Sequence, residues 1–247
     1  MSNINTESST RLVLAKKRKR RNNLVAWSFI LPNFAGFFIF TLIPVIASFI
    51  LAFMKWDAFS APEFTGLDNF NKMIHDQVFW KSLWNTIYYT VGTVPLTLVL
   101  SLGLALLLNK KIRGISTFRA AIFFPYITSL VAVAVVWNML FHPELGIINE
   151  FLRFIGVDNP PGWTSSSKWA MPAIIIVSVW RGMGYYMVLY LAGLQSIPKE
   201  LYEAAEIDGA NTWHKFRNVT LPMLTPTTFL VLIMLTISCF KVFDLVQ

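Results

Sequence analysis

Residues 200–222 read ELYEAAEIDGANTWHKFRNVTLP, a polar, helix-forming stretch with strongly apolar sequence on both sides. Pro198 suits the opening of a helix, and Glu200 and Glu203 fall near the positive end of its dipole. Leu201, Ala204 and Ala205 share one face at i, i+3 and i+4 spacing, with Glu200, Glu203 and Glu206 as an acidic stripe beside it. Gly209 can take the left-handed conformation that ends such a helix, and Asn211 or Thr212 can cap a second one carrying Trp213 and Phe216. The stretch therefore predicts a helix, a glycine elbow and a second helix. Two alanines let a partner's backbone come close, and the acids can meet basic groups. The same pattern also describes an amphipathic loop lying on a membrane surface, and periodicity alone does not separate the two.

Lipid is the setting that the flanking sequence predicts. Hydrophobic residues make up 55% of the 247 and charged residues 14%, with a mean hydropathy of +0.55, far from soluble-domain averages. Crossing about 30 Å of hydrocarbon takes roughly 20 residues. Five apolar runs meet that length, at 24–54, 84–108, 118–141, 169–194 and 223–246. Residues 1–23 form a basic leader whose first ten residues read as disordered, 55–83 a loop after the first span, and 195–222 the polar segment inside a core of 84–247. The fold class is all-α, a polytopic transmembrane bundle. The first run is too long for a signal-peptide core and no small-residue cleavage pattern closes it. Pro32, Pro44, Pro95, Pro125 and Pro172 lie inside or near the ends of runs and predict kinks.

Charge placement orients the bundle. Of the 21 basic residues, fourteen fall on one side: Arg11 and Lys16–Arg21 in the leader, Lys110, Lys111, Arg113 and Arg119 after the second span, and Lys199, Lys215 and Arg217 in the polar segment. Lys55, Lys72, Lys81, Arg153 and Lys168 occupy the alternate loops. Basic residues favour the cytoplasm, so the N-terminus and residues 195–222 are expected there. Cations gathered at the ends of apolar runs argue against nucleic acid despite the net charge of +8. A single cysteine, Cys239, forms no internal disulfide and no CxxC pair. His75, His142 and His214 stand in three separate loops without metal-ligand spacing, so neither a metal nor a cofactor is expected. All thirteen acids lie in loops, leader or polar segment except Asp244 near one end of the fifth run. No midplane carboxylate is left for proton or sodium coupling. There is no G-x-x-x-x-G-K-[ST] loop either, so nucleotide hydrolysis would belong to another chain.

Spacing narrows the reading. Glu203-Ala204-Ala205, three residues, Gly209, nine residues and Val219-Thr220-Leu221-Pro222 resemble the EAA loop of binding-protein-dependent ABC importer permeases, with Val219 where isoleucine is usual. LPNFAGFFIFTLIPVIASF at 31–49, FTGLDNF at 64–70, FWKSLWNTIYYT at 79–90, FFPYITS at 123–129 and YLAGLQSIPKELYEAAEIDGA at 190–210 look like that family's carbohydrate-uptake branch, the maltose and glycerol-phosphate permeases. The resemblance implies a type I importer permease in a bacterial cell membrane, working with a second permease subunit, a cytoplasmic ATPase dimer and an extracytoplasmic solute-binding protein. It implies that Glu203, Ala204, Ala205, Gly209, Leu221 and Pro222 form the coupling element that docks on the ATPase. It also implies a sixth span beyond Phe243–Asp244, where this sequence ends at Gln247, and a chain lacking that span is expected not to transport. A non-sugar solute fits the same architecture. An integral-membrane enzyme is the alternative from a different class, and ATPase-dependent uptake in vesicles separates the two.

The fourth run contains Arg181, which at mid-depth must face a bundle interior or an aqueous cavity. Rings beside polar groups suit sugars, and Trp180, Tyr185 and Tyr186 are close by in sequence. By resemblance to the maltose permease's sugar-contacting segment, Ser178, Gly182 and Tyr185 occupy site-like positions. Ser238, Cys239 and Lys241 fall near the corresponding part of the fifth run. Helix packing through Gly182 and Gly184 with an aromatic belt explains the same residues, and Lys241 can instead pair with Asp244 at i, i+3.

Overall fold

The computed structural model describes residues 2–110 and 113–241, with side chains described from Arg18 onward. The chain divides into two compact units, Met1–Trp80 and Lys81–Gln247. In the first, α1 runs from Ser2 to Phe37, a π turn covers Phe38–Leu42 and α2 covers Ile43–Leu51. The leader's first residues are thus helical, a correction to the disordered reading. No proline or glycine interrupts the sequence between Ser2 and Leu31, so nothing stops the helix from propagating outward. Beyond α2, β1, Met54–Lys55, pairs antiparallel with β2, Glu63–Phe64, each strand two residues long, and α3 spans Asp68–His75.

The second unit is built on long helices. α4, Gln77–Leu108, crosses the boundary between the units. α5 is Ile115–Ile127, α6 Leu130–Leu140 and α7 Ile147–Phe154. α8 is Ser167–Gln195, α9 Lys199–Ile207, α10 Thr212–Lys215, α11 Leu221–Met223 and α12 Thr225–Phe240. Three stretches are long and apolar enough to cross a membrane alone: Arg18–Leu51, Gln77–Leu108 and Ser167–Gln195. Two bent pairs raise the number to as many as five: α5 with α6, at 98°, and Thr212–Met223 with α12, at 62°. The end of the run expected at 223–246 lies outside the described residues.

α1, α4 and α8 continue through Pro32, Pro95 and Pro172. Pro44 lacks the N–H that would bond four residues back, and the turn before it widens so that Ile43 N–H donates to Phe38 O. Pro222 repeats this: Leu221 N–H donates to Phe216 O across a second π turn, Phe216–Thr220. The apolar run 118–141 breaks after Pro125, where Thr128 (ψ 149°) and Ser129 (ψ 129°) are both extended and turn the chain into α6. Hydropathy alone could not show this, because both arms are apolar.

The core of the second unit gathers on α8. Met187, Tyr190 and Leu191 pack with Tyr89, Val94 and Ala105 of α4 and with Val231, Leu235 and Cys239 of α12. Lipid offers apolar groups no less favourable surroundings than protein does, so close packing and interhelical bonds must hold such a bundle. Gly184 supplies the closest packing, since a Cβ there would collide with the Ile122 carbonyl of α5. The Ser101 hydroxyl donates to Met183 O at 3.1 Å, tying α4 to α8.

Candidate functional site

The polar segment folds as its residues dictate. α8 ends at Gln195, and Ile197 is buried beneath the turn that follows. Pro198 is the N-cap of α9. At the other end Gly209 has φ +76°, Gly209 N–H donates to Glu206 O at 3.0 Å, and Ala210 N–H donates to Ala205 O at 2.9 Å. These are the two bonds of a Schellman motif, which a left-handed glycine closes at no steric cost. Asn211 rather than Thr212 caps α10, its Oδ1 accepting from His214 N–H at 2.9 Å. An ion pair between Lys215 and Glu206 ties the two short helices together, and a 3.0 Å hydroxyl contact between Tyr202 and Thr220 ties α9 to the π turn that follows α10.

One face of the element is left open to solvent. Glu203 and Ala204 are exposed and Ala205 is half-buried. Leu201 is 40% exposed, Ile207 87% and Trp213 62%. Leu221 and Pro222 lie on α11, directly after the second π turn, which Pro222's missing N–H produces. All six sequence-predicted coupling residues thus belong to one locally braced element.

The residues singled out on α8 fare differently. The Ser178 hydroxyl donates to Ile174 O at 2.7 Å, within its own helix. Trp180 packs edge-on against Trp137 of α6 with centroids 5.4 Å apart. With Phe124, Pro125 and Val136 these two rings line a cavity of about 370 Å³ whose walls are almost wholly apolar. Its hydroxyl, Thr128 Oγ1, already donates to Phe124 O at 3.0 Å. Arg181 donates from Nη2 to Tyr126 O at 3.3 Å, with its guanidinium carbon 5.5 Å from the Tyr126 ring centroid. Tyr185, one helical turn on, stacks on the same ring at 4.4 Å and 11°. Arg181 Nε is buried without a partner. A Cβ on Gly182 would meet Tyr186 and Thr97 only at ordinary contact distance, so of the two glycines read as packing residues, Gly184 is the one that packing requires.

Ser238 and Lys241 are exposed at the far end of α12, and Cys239 between them is buried. The proposed Lys241–Asp244 pair falls outside the described residues. Each histidine has a local partner: His75 Nδ1 with Asn71 O, His142 Nδ1 with the N–H groups of Glu144 and Leu145, and His214 Nδ1 with Asn211 Oδ1. The residue that sequence reading missed is Tyr126, which holds Arg181 and Tyr185 together. Nothing local in the sequence names its partners; Ser129, a helix-start residue before an apolar run, marks only where α6 begins.

Long apolar helices and two bent pairs define an all-α polytopic membrane protein. The family described as binding-protein-dependent transport system inner membrane component matches residues 97–247, and this chain belongs to it. The chain is 41% identical over 226 residues to the probable ABC transporter permease protein YesP of Bacillus subtilis (strain 168), covering 91% of this chain and 72% of that protein. It is 37% identical over 228 residues to the lactose transport system permease protein LacF of Rhizobium radiobacter, covering 92% and 76%. With the trehalose/maltose transport system permease protein MalF of Thermococcus litoralis the identity is 34% over 235 residues, covering 94% and 79%. A crystal structure of a bacterial ABC transporter involved in the import of the acidic polysaccharide alginate superposes with a TM-score of 0.75 at 26% identity, covering 93% of this chain and 77% of that one.

Proposed function

We propose that this permease is one of two membrane-spanning subunits of an ATP-driven importer, that its solute is a carbohydrate, and that residues 195–222 dock on a separate cytoplasmic ATPase dimer. The observation that carries the reading is the helix–elbow–helix element, closed by Gly209 and presenting Glu203 and Ala204 to solvent, within a chain of this family. Relatives named for lactose and for trehalose/maltose transport support the solute class. In this arrangement the N-terminus, the loop 109–117 and the coupling element are cytoplasmic, while 55–83 faces the extracytoplasmic binding protein. Five spans cross the membrane at the positions the apolar runs mark. Ser178, Trp180, Arg181, Gly182 and Tyr185 on α8, with Ser238 and Lys241 on α12, border the solute path. Trp180 supplies apolar contact, whereas Arg181 is the donor with capacity to spare.

The test is uptake of radiolabelled di- and trisaccharides into proteoliposomes holding this chain with its partner permease, ATPase and binding protein. Saturable, ATP-dependent uptake displaced by unlabelled carbohydrate is expected. Displacement by amino acids or metal ions, and not by sugars, would overturn the solute class.

A further inference from the structure

The six consecutive cations Lys16–Arg21 form the densest charge in the sequence, and a topology signal does not require their arrangement. They lie within α1, helical without interruption from Ser2 to Phe37. Successive α-helical residues turn by about 100°, so Arg18, Lys19, Arg20 and Arg21 point in four directions around the axis. All four are exposed. The sequence places no acid between Glu7 and Asp57, and the ion pair found among the described residues, Lys215–Glu206, is elsewhere in the chain. A protein surface or a nucleic-acid strand approaches from one side and leaves part of such a ring unneutralised. A ligand that surrounds the helix does not.

Depth selects the same ligand. Arg21 precedes the first apolar residue, Leu24, by three positions. At 1.5 Å per residue this puts Arg21 about 4.5 Å and Arg18 about 9 Å from the hydrocarbon edge, so the ring runs from within a headgroup layer of roughly 5 to 8 Å to its outer face, where the long side chains still reach it. We propose that Arg18–Arg21, with Lys16 and Lys17 next to them in sequence, form a cationic collar that binds anionic phospholipid headgroups and enriches them around the first span. Attraction of juxtamembrane basic clusters to anionic lipid is Coulombic, so charge and not side-chain identity governs it.

The experiment places the full-length chain, assembled with its partner subunits, in bilayers of phosphatidylglycerol and phosphatidylcholine carrying a trace of either lipid spin-labelled. The motionally restricted fraction reports which lipid the protein holds. Phosphatidylglycerol is expected to be selected severalfold in dilute salt. Selectivity should fall toward parity at 1 M salt, where the screening length is about 3 Å against about 10 Å at 0.1 M. The variant Arg18→Gln/Lys19→Gln/Arg20→Gln/Arg21→Gln should lose the selectivity, with orientation checked by protease access to an N-terminal tag. The charge-conserving Arg18→Lys/Arg20→Lys/Arg21→Lys should keep it. Wild type without selectivity, or a neutralised variant with selectivity intact, overturns the proposal. A neutralised variant that loses the ATPase while still holding phosphatidylglycerol overturns it in favour of a protein partner. If the neutralised chain inserts inverted, the wild-type salt titration decides, and selectivity that survives 1 M salt overturns the collar.

Discussion

α8 and the element that follows it are consecutive in the chain and obey opposite logic. α8 is fixed by its neighbours: Met187 and Tyr190 are buried, Gly184 lies against the Ile122 carbonyl, and Tyr185 and Arg181 close on Tyr126. α9 and α10 bury no residue fully; apart from Tyr202, which rests against the core, they are fixed from within by a Schellman motif, an asparagine cap and one ion pair. Packing specifies the first and local backbone chemistry the second. A surface meant for a partner has to be of the second kind, because a helix held by burial has no face left to offer.

The sharpest way to break this contrast is to add bulk to each region. Gly184→Leu drives a side chain into the α5 backbone, and overpacking costs about 1 to 3 kcal/mol or more. Loss of the monodisperse protein on size exclusion is expected. Ala204→Leu, on an exposed face, should leave that profile unchanged and lower only the amount of ATPase retained. Equal tolerance at both positions would remove the distinction.

Arg181→Met should have a smaller effect. It removes the bond to Tyr126 O and a cation–π contact worth about 0.5 to 2 kcal/mol. Solute uptake is expected to fall while the subunits remain assembled. Lost assembly would make Arg181 a packing residue, and unchanged uptake kinetics would take it out of the solute path.

The smallest effect concerns the first loop. Asp57 accepts from the Ser60 hydroxyl and from the N–H groups of Ser60 and Phe59, which lowers its pKa to about 2. The ordinary value is about 3.9. Because the folded value is depressed, the turn's contribution is fully present above the unfolded pKa and is lost as pH falls through about 2. A carboxyl chemical-shift titration should therefore find a midpoint near 2, raised in Ser60→Ala, the side-chain bond being the largest cause. An unshifted midpoint in wild type would show that the loop does not hold this turn.

The same contrast decides what could be read from the sequence. The helix–elbow–helix geometry of 195–222 was legible because its determinants are local: Gly209 for a positive φ and Asn211 or Thr212 for a cap, of which the structure uses Asn211. The long spans were legible from their length. The 98° break after Ile127 was not, because apolar arms look alike on either side of a bend and only packing against α8 distinguishes them. Tyr126 was hidden for the same reason: its partners, Arg181 and Tyr185, are more than fifty residues away along the chain. For the α8 residues, sequence identified side chains with suitable chemistry but not that Ser178 and Arg181 already spend donors on backbone carbonyls.

The central claim is that residues 195–222 transmit the state of an ATPase to the membrane helices. Its most direct test is solute-stimulated ATP turnover by the assembled importer in proteoliposomes, comparing wild type with Gly209→Ala and Glu203→Lys. A Cβ at Gly209 meets nothing nearby, so its cost is the positive φ alone, about 1 to 2 kcal/mol, and the elbow reopens at another angle without disturbing the core. Reversing Glu203 costs about 1 to 3 kcal/mol of docking, since repulsion is added to the lost pair. Both variants should insert and hold the partner permease, yet lose stimulation by solute. Wild-type stimulation in both would contradict the account and leave the segment a surface helix pair with no partner.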